Sequence, residues 1–129
     1  MSKKILVVDD DEAILEVIKS CLEELAGWEV LLADSGLEGL RIAKSEPLDA
    51  ILLDISMPEM NGIEMLRKLQ ENYSTREIPV FLLTARVLSG DRQSFLQLPQ
   101  VVGIIAKPFN AIKLVKQVAQ SLGWELEFL

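Results

Sequence analysis

The sequence predicts an α/β fold: a five-stranded parallel sheet in a three-layer sandwich, with five helices divided between its two faces. Three observations predict it. Short apolar runs of four to six residues alternate five times with longer amphipathic stretches along a chain of 129 residues. The short runs are rich in Val, Ile and Leu, as expected of strands covered on both faces. Apolar residues make up 50% of the chain and mean hydropathy is +0.27, which suits a sheet with no wet face. A chain of this length forms one ordinary domain and needs no staples to bury a core.

The strands are read at Ile5–Val8, Trp28–Ala33, Ala50–Leu53, Val80–Leu83 and Val101–Ala106. Each is too short for a helix. In the first helix Ile14, Ile18, Cys21, Leu22 and Leu25 share one face, Glu16, Lys19 and Glu23 take another, and Gly27 fits as the stop. Ser35 caps the second helix, which runs through Ala43, with Glu38 completing a capping box. The third runs from Ile63 to Asn72, the fourth from Leu88 to Leu98 with Gly90 near its start, and the last from Asn110 to Leu122, closed by Gly123. Strand–helix alternation of this kind implies right-handed crossovers and a parallel sheet. Cys21 reads as a small core residue, and Met57 and Met60 as loop packing.

Composition narrows the chemistry. The chain has 20 acidic and 13 basic residues, a formal charge of −7, and no histidine. Its lysines and arginines are scattered, so direct nucleic-acid binding is not expected. Without histidine the commonest general base and transition-metal ligand are missing. Carboxylate, hydroxyl and ammonium chemistry remain. One cysteine cannot form an internal disulfide, and no apolar run approaches the ~20 residues of a membrane helix, so the expected location is cytoplasmic.

The stretch "KILVVDDDEAI" ends an apolar run on Asp9, Asp10 and Asp11. In doubly wound sheets, ligands bind at the carboxyl ends of strands where strand order reverses. Asp9 and Asp10 sit at that end of strand 1, and Asp54 at that end of strand 3. In a flavodoxin-like order, 2-1-3-4-5, strands 1 and 3 are neighbours and the three carboxylates converge. Unpaired, they would raise one another's pKa and destabilise the fold. A divalent cation removes the conflict, and an all-oxygen site indicates a hard ion: Mg2+ first, with Mn2+ or Ca2+ also suited. Thr84 ends strand 4 and Lys107 follows strand 5 at the same edge. Metal, hydroxyl and ammonium around one carboxylate fit an Asp that accepts a phosphoryl group. Acids at strand ends also serve as helix caps, the plainer reading for Asp10 or Asp11 taken singly, but capping requires neither Thr84 nor Lys107 opposite.

Four segments, "ILVVDDDE", "DAILLDISMPEMNGIEML", "IPVFLLTA" and "AKPF", stand in order, each at a strand's carboxyl end. Together they identify a resemblance, over essentially the whole chain, to the receiver domain of response regulators in two-component signalling. The resemblance implies that Asp9 and Asp10 are the metal-binding pair, with Asp54 and the backbone carbonyl of Ser56 as further Mg2+ ligands. It implies that Asp54 is the phosphoacceptor and that Thr84 and Lys107 contact the phosphoryl group. Asp11 then caps helix 1, with Glu12 in its first turn. In the family the bond before the proline matching Pro108 is usually cis, and Pro58 and Gly62 shape a loop in which glycine supplies backbone freedom. Ser56 and Arg86 lie near the acceptor in that layout. Two positions depart from the pattern. Ile104 stands where many receivers carry an aromatic, so coupling from Thr84 would run through packing rather than a ring rotamer. Pro99, Gln100 and Val101 replace the usual approach to strand 5, so helix 4 must end differently.

The resemblance further implies a regulatory phosphoacceptor rather than a turnover enzyme, served by a histidine kinase or histidine phosphotransfer protein. Output would pass to a downstream protein by contact, through a monomer or a phosphorylation-dependent dimer, or by onward phosphoryl relay. The expected organisation is a receiver domain over 1–122 and a tail over 123–129, standing alone without an effector domain. A haloacid-dehalogenase-like phosphohydrolase is disfavoured, because Asp54 is followed by Ile55 and Ser56 rather than a second Asp two residues on. A nucleotide-binding protein is disfavoured because strand 1 leads into acids that repel phosphate. The alternative from another class is a phosphorylation-independent interaction domain. The tail segment "WELEFL" alternates apolar and acidic residues, a pattern that could add a strand or dock a partner, and otherwise packs on its own domain or frays.

Overall fold

A computed structural model describes residues 3–85 and 89–126, the backbone alone over 89–92. Arg86, Leu88 and residues 127–129 of the expected tail lie outside the described residues. The elements are β1 Lys4–Val8, α1 Glu12–Ala26, β2 Glu29–Ala33, α2 Gly36–Ser45, β3 Ala50–Asp54, α3 Gly62–Glu71, β4 Val80–Thr84, α4 Ser89–Leu96, β5 Val101–Ala106 and α5 Ala111–Leu122. The strands form one parallel sheet in the order β2-β1-β3-β4-β5. This is the flavodoxin-like order, with β1 and β3 adjacent at the reversal.

Strand pleating splits the core in two. Ile5 and Val7 of β1, Leu52 of β3 and Phe81 and Leu83 of β4 face α1 and α5, packing on Ile18, Leu22, Leu114, Val115 and Val118. The alternate residues, Leu6, Val8, Ile51, Leu53 and Leu82, face α2 and α3, against Leu40, Ala43, Met65, Leu66 and Leu69. Both clusters are almost wholly buried, which is why the strand sequences carry no polar alternation.

Helix ends follow the sequence signals with instructive exceptions. Asp11 Oδ1 accepts the backbone N–H groups of Ala13 and Ile14 at 3.0 and 3.3 Å, capping α1, and Gly27 ends it at φ 70°. Ser35 caps α2 through the Glu38 N–H at 3.2 Å. The reciprocal half of that box is not made, because the Glu38 carboxylate binds the Arg41 guanidinium one turn on. A complete capping box instead starts α3, where Asn61 and Glu64 exchange bonds. On α1, Leu25 is 37% exposed and Cys21 only half-buried, while Leu15 is buried. The buried stripe is therefore Leu15–Ile18–Leu22, one step around the helix from the expected face.

Helix α4 stops at Leu96 rather than Leu98. Pro99 disfavours helical backbone at Leu98, and Gln100 follows with φ 79°. The Gln100 amide donates to the carbonyls of Thr75 and Ile78 at 2.7 and 2.8 Å, tying the approach to β5 onto the approach to β4. Beyond it, Val80 pairs with Val101 but Phe81 with Gly103, so Val102 is a bulge on the edge strand. A Cβ on Gly103 would lie 2.9 Å from the Phe81 ring. Ile104 is 2% exposed.

Past α5 the chain folds back on the sheet's amino-terminal pole. Gly123 has φ 71°, the Trp124 N–H bonds the Ala119 carbonyl at 2.8 Å, and its ring meets Trp28 edge-on at 5.2 Å between centroids. The Lys3 ammonium lies 5.0 Å from the Trp124 ring centre, and Leu126 joins the α1–α5 core. No helix of the described residues is long and apolar enough to cross a membrane.

Candidate phosphoacceptor and metal site

Register carries the acids to one place. Val8 pairs with Leu53, so the next residues outward, Asp9 and Asp54, stand side by side at the carboxyl edge of β1 and β3. Asp54 pairs with Leu83 and Thr84 with Ala106, which sets Thr84 and Lys107 on the same edge. The Lys107 N–H holds the Thr84 carbonyl at 2.9 Å. Asp9 and Asp54 are buried at 1% and 4% exposure, Thr84 at 7%, and Asp10 is exposed. One carboxylate oxygen from each of Asp9, Asp10 and Asp54 lies within 4.8 Å of the other two.

Lys107 closes the group from the far side. Its Nζ donates to Asp9 Oδ2 at 2.7 Å and Asp54 Oδ1 at 3.2 Å. The other Asp9 oxygen accepts the Asp11 N–H at 2.9 Å, so Asp9 is fixed at both oxygens. Burial pushes the Asp54 carboxyl above the ordinary carboxylate range, and the charge of Asp9 adds to the push. The Lys107 ammonium and the Ser56 backbone N–H act against it. For Lys107, burial lowers the pKa, but the bond to Asp9 and the charge and bond of Asp54 outweigh it and hold the ammonium above its usual value. Among the described residues the cluster is thus an excess of negative charge held by the Lys107 ammonium.

The loop between β3 and α3 is shaped around this edge. A Cβ on Gly62 would sit 2.3 Å from the Asp54 carbonyl oxygen and 2.9 Å from Ile55 Cα. Gly62 is there because backbone passes against backbone, not to supply an unusual φ. The residue with positive φ in this loop is Glu59, at 63°. Gly62 also donates its N–H to the Ile55 carbonyl at 3.0 Å. The Lys107–Pro108 bond is cis.

The structure brings together Asp9, Asp10, Asp54, Thr84 and Lys107, all singled out from sequence, and places Ser56 two residues beyond Asp54. The double engagement of Lys107 escapes sequence reasoning, since 98 residues separate it from Asp9. The capping box of α3 was readable as "NGIE", Asn61 to Glu64.

Comparison with known proteins agrees with this geometry. The family model for the response regulator receiver domain matches residues 5–119. The polar-differentiation response regulator DivK of Brucella ovis is 31% identical over 123 residues, covering 95% of this chain and 98% of that one. Among solved structures, the chemotaxis protein CheY4 of Vibrio cholerae superposes with a TM-score of 0.86 at 29% identity, over 94% of this chain and 99% of its own. The receiver domain of the sensor histidine kinase PA1611 from Pseudomonas aeruginosa, with a magnesium ion coordinated in its active-site cleft, gives a TM-score of 0.83 at 32% identity over 95% and 99%. The chain belongs to the response regulator receiver domains of two-component signalling.

Proposed function

We propose that Asp54 accepts a phosphoryl group, in a Mg2+-dependent reaction, from a histidine kinase or histidine phosphotransfer protein, and that the phosphorylated domain signals by protein contact or passes the group on. The observation that carries this is the convergence of Asp9, Asp10 and Asp54 within 4.8 Å, with Lys107 on two of the three. The donor set fits a hard divalent ion, because it offers oxygen donors, three of them carboxylates, and an excess of negative charge. Asp9, Asp10, Asp54 and the Ser56 backbone carbonyl would hold it. When bound, such an ion offsets charge on the carboxylates and on the transferring phosphoryl oxygens.

The chain's own residues supply the rest. An Asp54 carboxylate oxygen attacks phosphorus; a P–O bond forms as the donor's P–N bond breaks, and the released imidazole is neutral after taking a proton from solvent. Asp9, fixed by Lys107 and the Asp11 N–H, keeps its place beside the acceptor. The Lys107 ammonium, already 3.2 Å from Asp54, is placed to follow the charge onto a phosphoryl oxygen, and Thr84 offers its hydroxyl from the neighbouring strand. The phosphoryl group stays on Asp54 until it is lost or passed on, so the domain acts as a regulatory acceptor rather than a turnover enzyme. Output at the α4–β5–α5 face would depend on packing around buried Ile104.

Intact mass after incubation with acetyl phosphate tests the reading. A gain of one phosphoryl that requires both Mg2+ and Asp54, and disappears in Asp54→Asn, is expected. No gain under conditions where Mg2+ binds would overturn phosphoryl acceptance from this donor.

A further inference from the structure

A groove of about 710 Å3 runs between the start of α1 and the β2–α2 junction. Its floor is apolar, built from Leu15, Leu32 and Ala33. At its lip Leu37, in the first turn of α2, is 71% exposed, a large apolar side chain left in water beside an apolar floor. Its walls are acidic: Glu12 and Glu16 on α1, Asp34 and Glu38 opposite. Among the described residues no lysine or arginine lines it.

The charge balance is favourable for a cation. Arg41 neutralises Glu38, whereas Glu12, Glu16 and Asp34 have no ion-pair partner among the described residues. The amino-terminal ends of α1 and α2 each contribute about half a positive charge. Four carboxylates against one guanidinium and two such helix ends leave the groove about two charges negative. Apolar floor and negative walls together select a ligand that is apolar in the middle and cationic at its edges.

We propose that this groove docks a basic amphipathic segment of a partner protein, an apolar anchor flanked by lysine or arginine. The anchor would lie on Leu15 and Leu32 against Leu37, and the cations would face Glu12, Glu16 and Asp34. The groove is separate from the phosphoacceptor cluster but adjoins it, since the Asp9 N–H bonds the carbonyl of Ala33 in the groove floor at 3.1 Å. The proposal rests on the groove alone and stands whether or not Asp54 accepts phosphate.

The test uses the full chain and a fluorescein-labelled amphipathic peptide of lysine and leucine, with a peptide of glutamate and leucine as its mirror. Binding is read by anisotropy and mapped by amide shifts in 15N-labelled protein. Glu16→Lys/Leu37→Ser alters the groove. Glu71→Lys/Tyr73→Ser makes the same charge change and removes an exposed apolar side chain elsewhere, and thermal melts confirm that both variants fold. The expected result is that the lysine peptide binds with shifts centred on residues 12–16 and 32–38, and is weakened about tenfold or more by the groove variant but far less by the control. Equal weakening by both variants would mean attraction to net charge, and would overturn the proposal. So would shifts centred elsewhere, equal binding of the glutamate peptide, or no binding below about 1 mM.

Discussion

Gly62→Ala separates two reasons for a glycine and reports on the site at the same time. Ordinary contact for a Cβ begins at 3.4 Å, whereas here it would stand 2.3 Å from the Asp54 carbonyl oxygen, with Ile55 Cα and Asp54 C also within 3.0 Å. All three are backbone, so no flexible side chain can yield. About 1 Å must open between the end of β3 and the first turn of α3. Overpacking typically costs 1–3 kcal/mol, and rigid backbone on both sides puts this case near about 3. Alanine's better helix propensity returns at most about 1 kcal/mol, leaving a net loss of roughly 2. Gly27→Ala is the control: nothing lies within 4 Å of its Cβ, but φ is +70°, and the left-handed conformation alone costs about 1–2 kcal/mol. Urea unfolding followed by circular dichroism measures both. With a slope of about 1–3 kcal/mol per molar, the Gly62→Ala midpoint should fall by about 1 M. Because the displaced backbone carries Asp54, the same variant should also be phosphorylated more slowly, while Gly27→Ala, far from the site, keeps the wild-type rate. A Gly62→Ala protein as stable as wild type, or stabilised as propensity alone would have it, would refute the close-approach reasoning.

Three further outcomes follow from the same geometry. Trp124→Ala loses the edge-on contact with Trp28 and the Lys3 ammonium, and should cost about 1–2 kcal/mol in urea unfolding, from an aromatic pair and an exposed cation–π contact together; a loss below about 0.3 would mean the segment is not held. Burial raises the Cys21 thiol pKa, with the charge of Glu24 adding to it, so at mildly alkaline pH less thiolate is present and iodoacetamide should label folded protein more slowly than protein in urea; equal rates would contradict this. The Asp54 carboxyl is raised in the folded state, so between its unfolded and folded pKa the native form binds more protons. In divalent-free buffer, wild type should therefore gain stability relative to Asp54→Asn as pH falls from neutral through the folded pKa, with a constant difference above it; a difference of opposite slope would refute the assignment.

Much of the fold was legible because each element carries its own signal. Val, Ile and Leu runs gave strand positions to within a residue, and Asp11, Ser35, Asn110, Gly27 and Gly123 marked helix ends by local hydrogen bonding and backbone handedness. The acidic edge was legible because strand ends and strand order suffice to put Asp9 beside Asp54. What escaped depends on tertiary distance. The buried stripe of α1 lies one step from the face that periodicity predicts, since Leu15 and Leu25 are equally apolar and only the angle of α1 on the sheet decides which is buried. The spacing of Ser35 and Glu38 predicts a reciprocal box, but the Arg41 guanidinium takes the Glu38 carboxylate instead. A loop glycine such as Gly62 predicts backbone freedom, and only the approach of α3 to Asp54 gives its actual reason. The two hydrogen bonds that Lys107 donates, one to Asp9 and one to Asp54, likewise require the sheet to be assembled.

The most direct test of the account is to locate the phosphoryl group. The protein is incubated with acetyl phosphate and Mg2+, reduced with borohydride, which converts an acyl phosphate on aspartate to homoserine, and sequenced by tandem mass spectrometry. The account predicts homoserine at position 54 and nowhere else, and none when Mg2+ is chelated. Homoserine at Asp9 or Asp10, or a modification that forms equally without Mg2+, would contradict it.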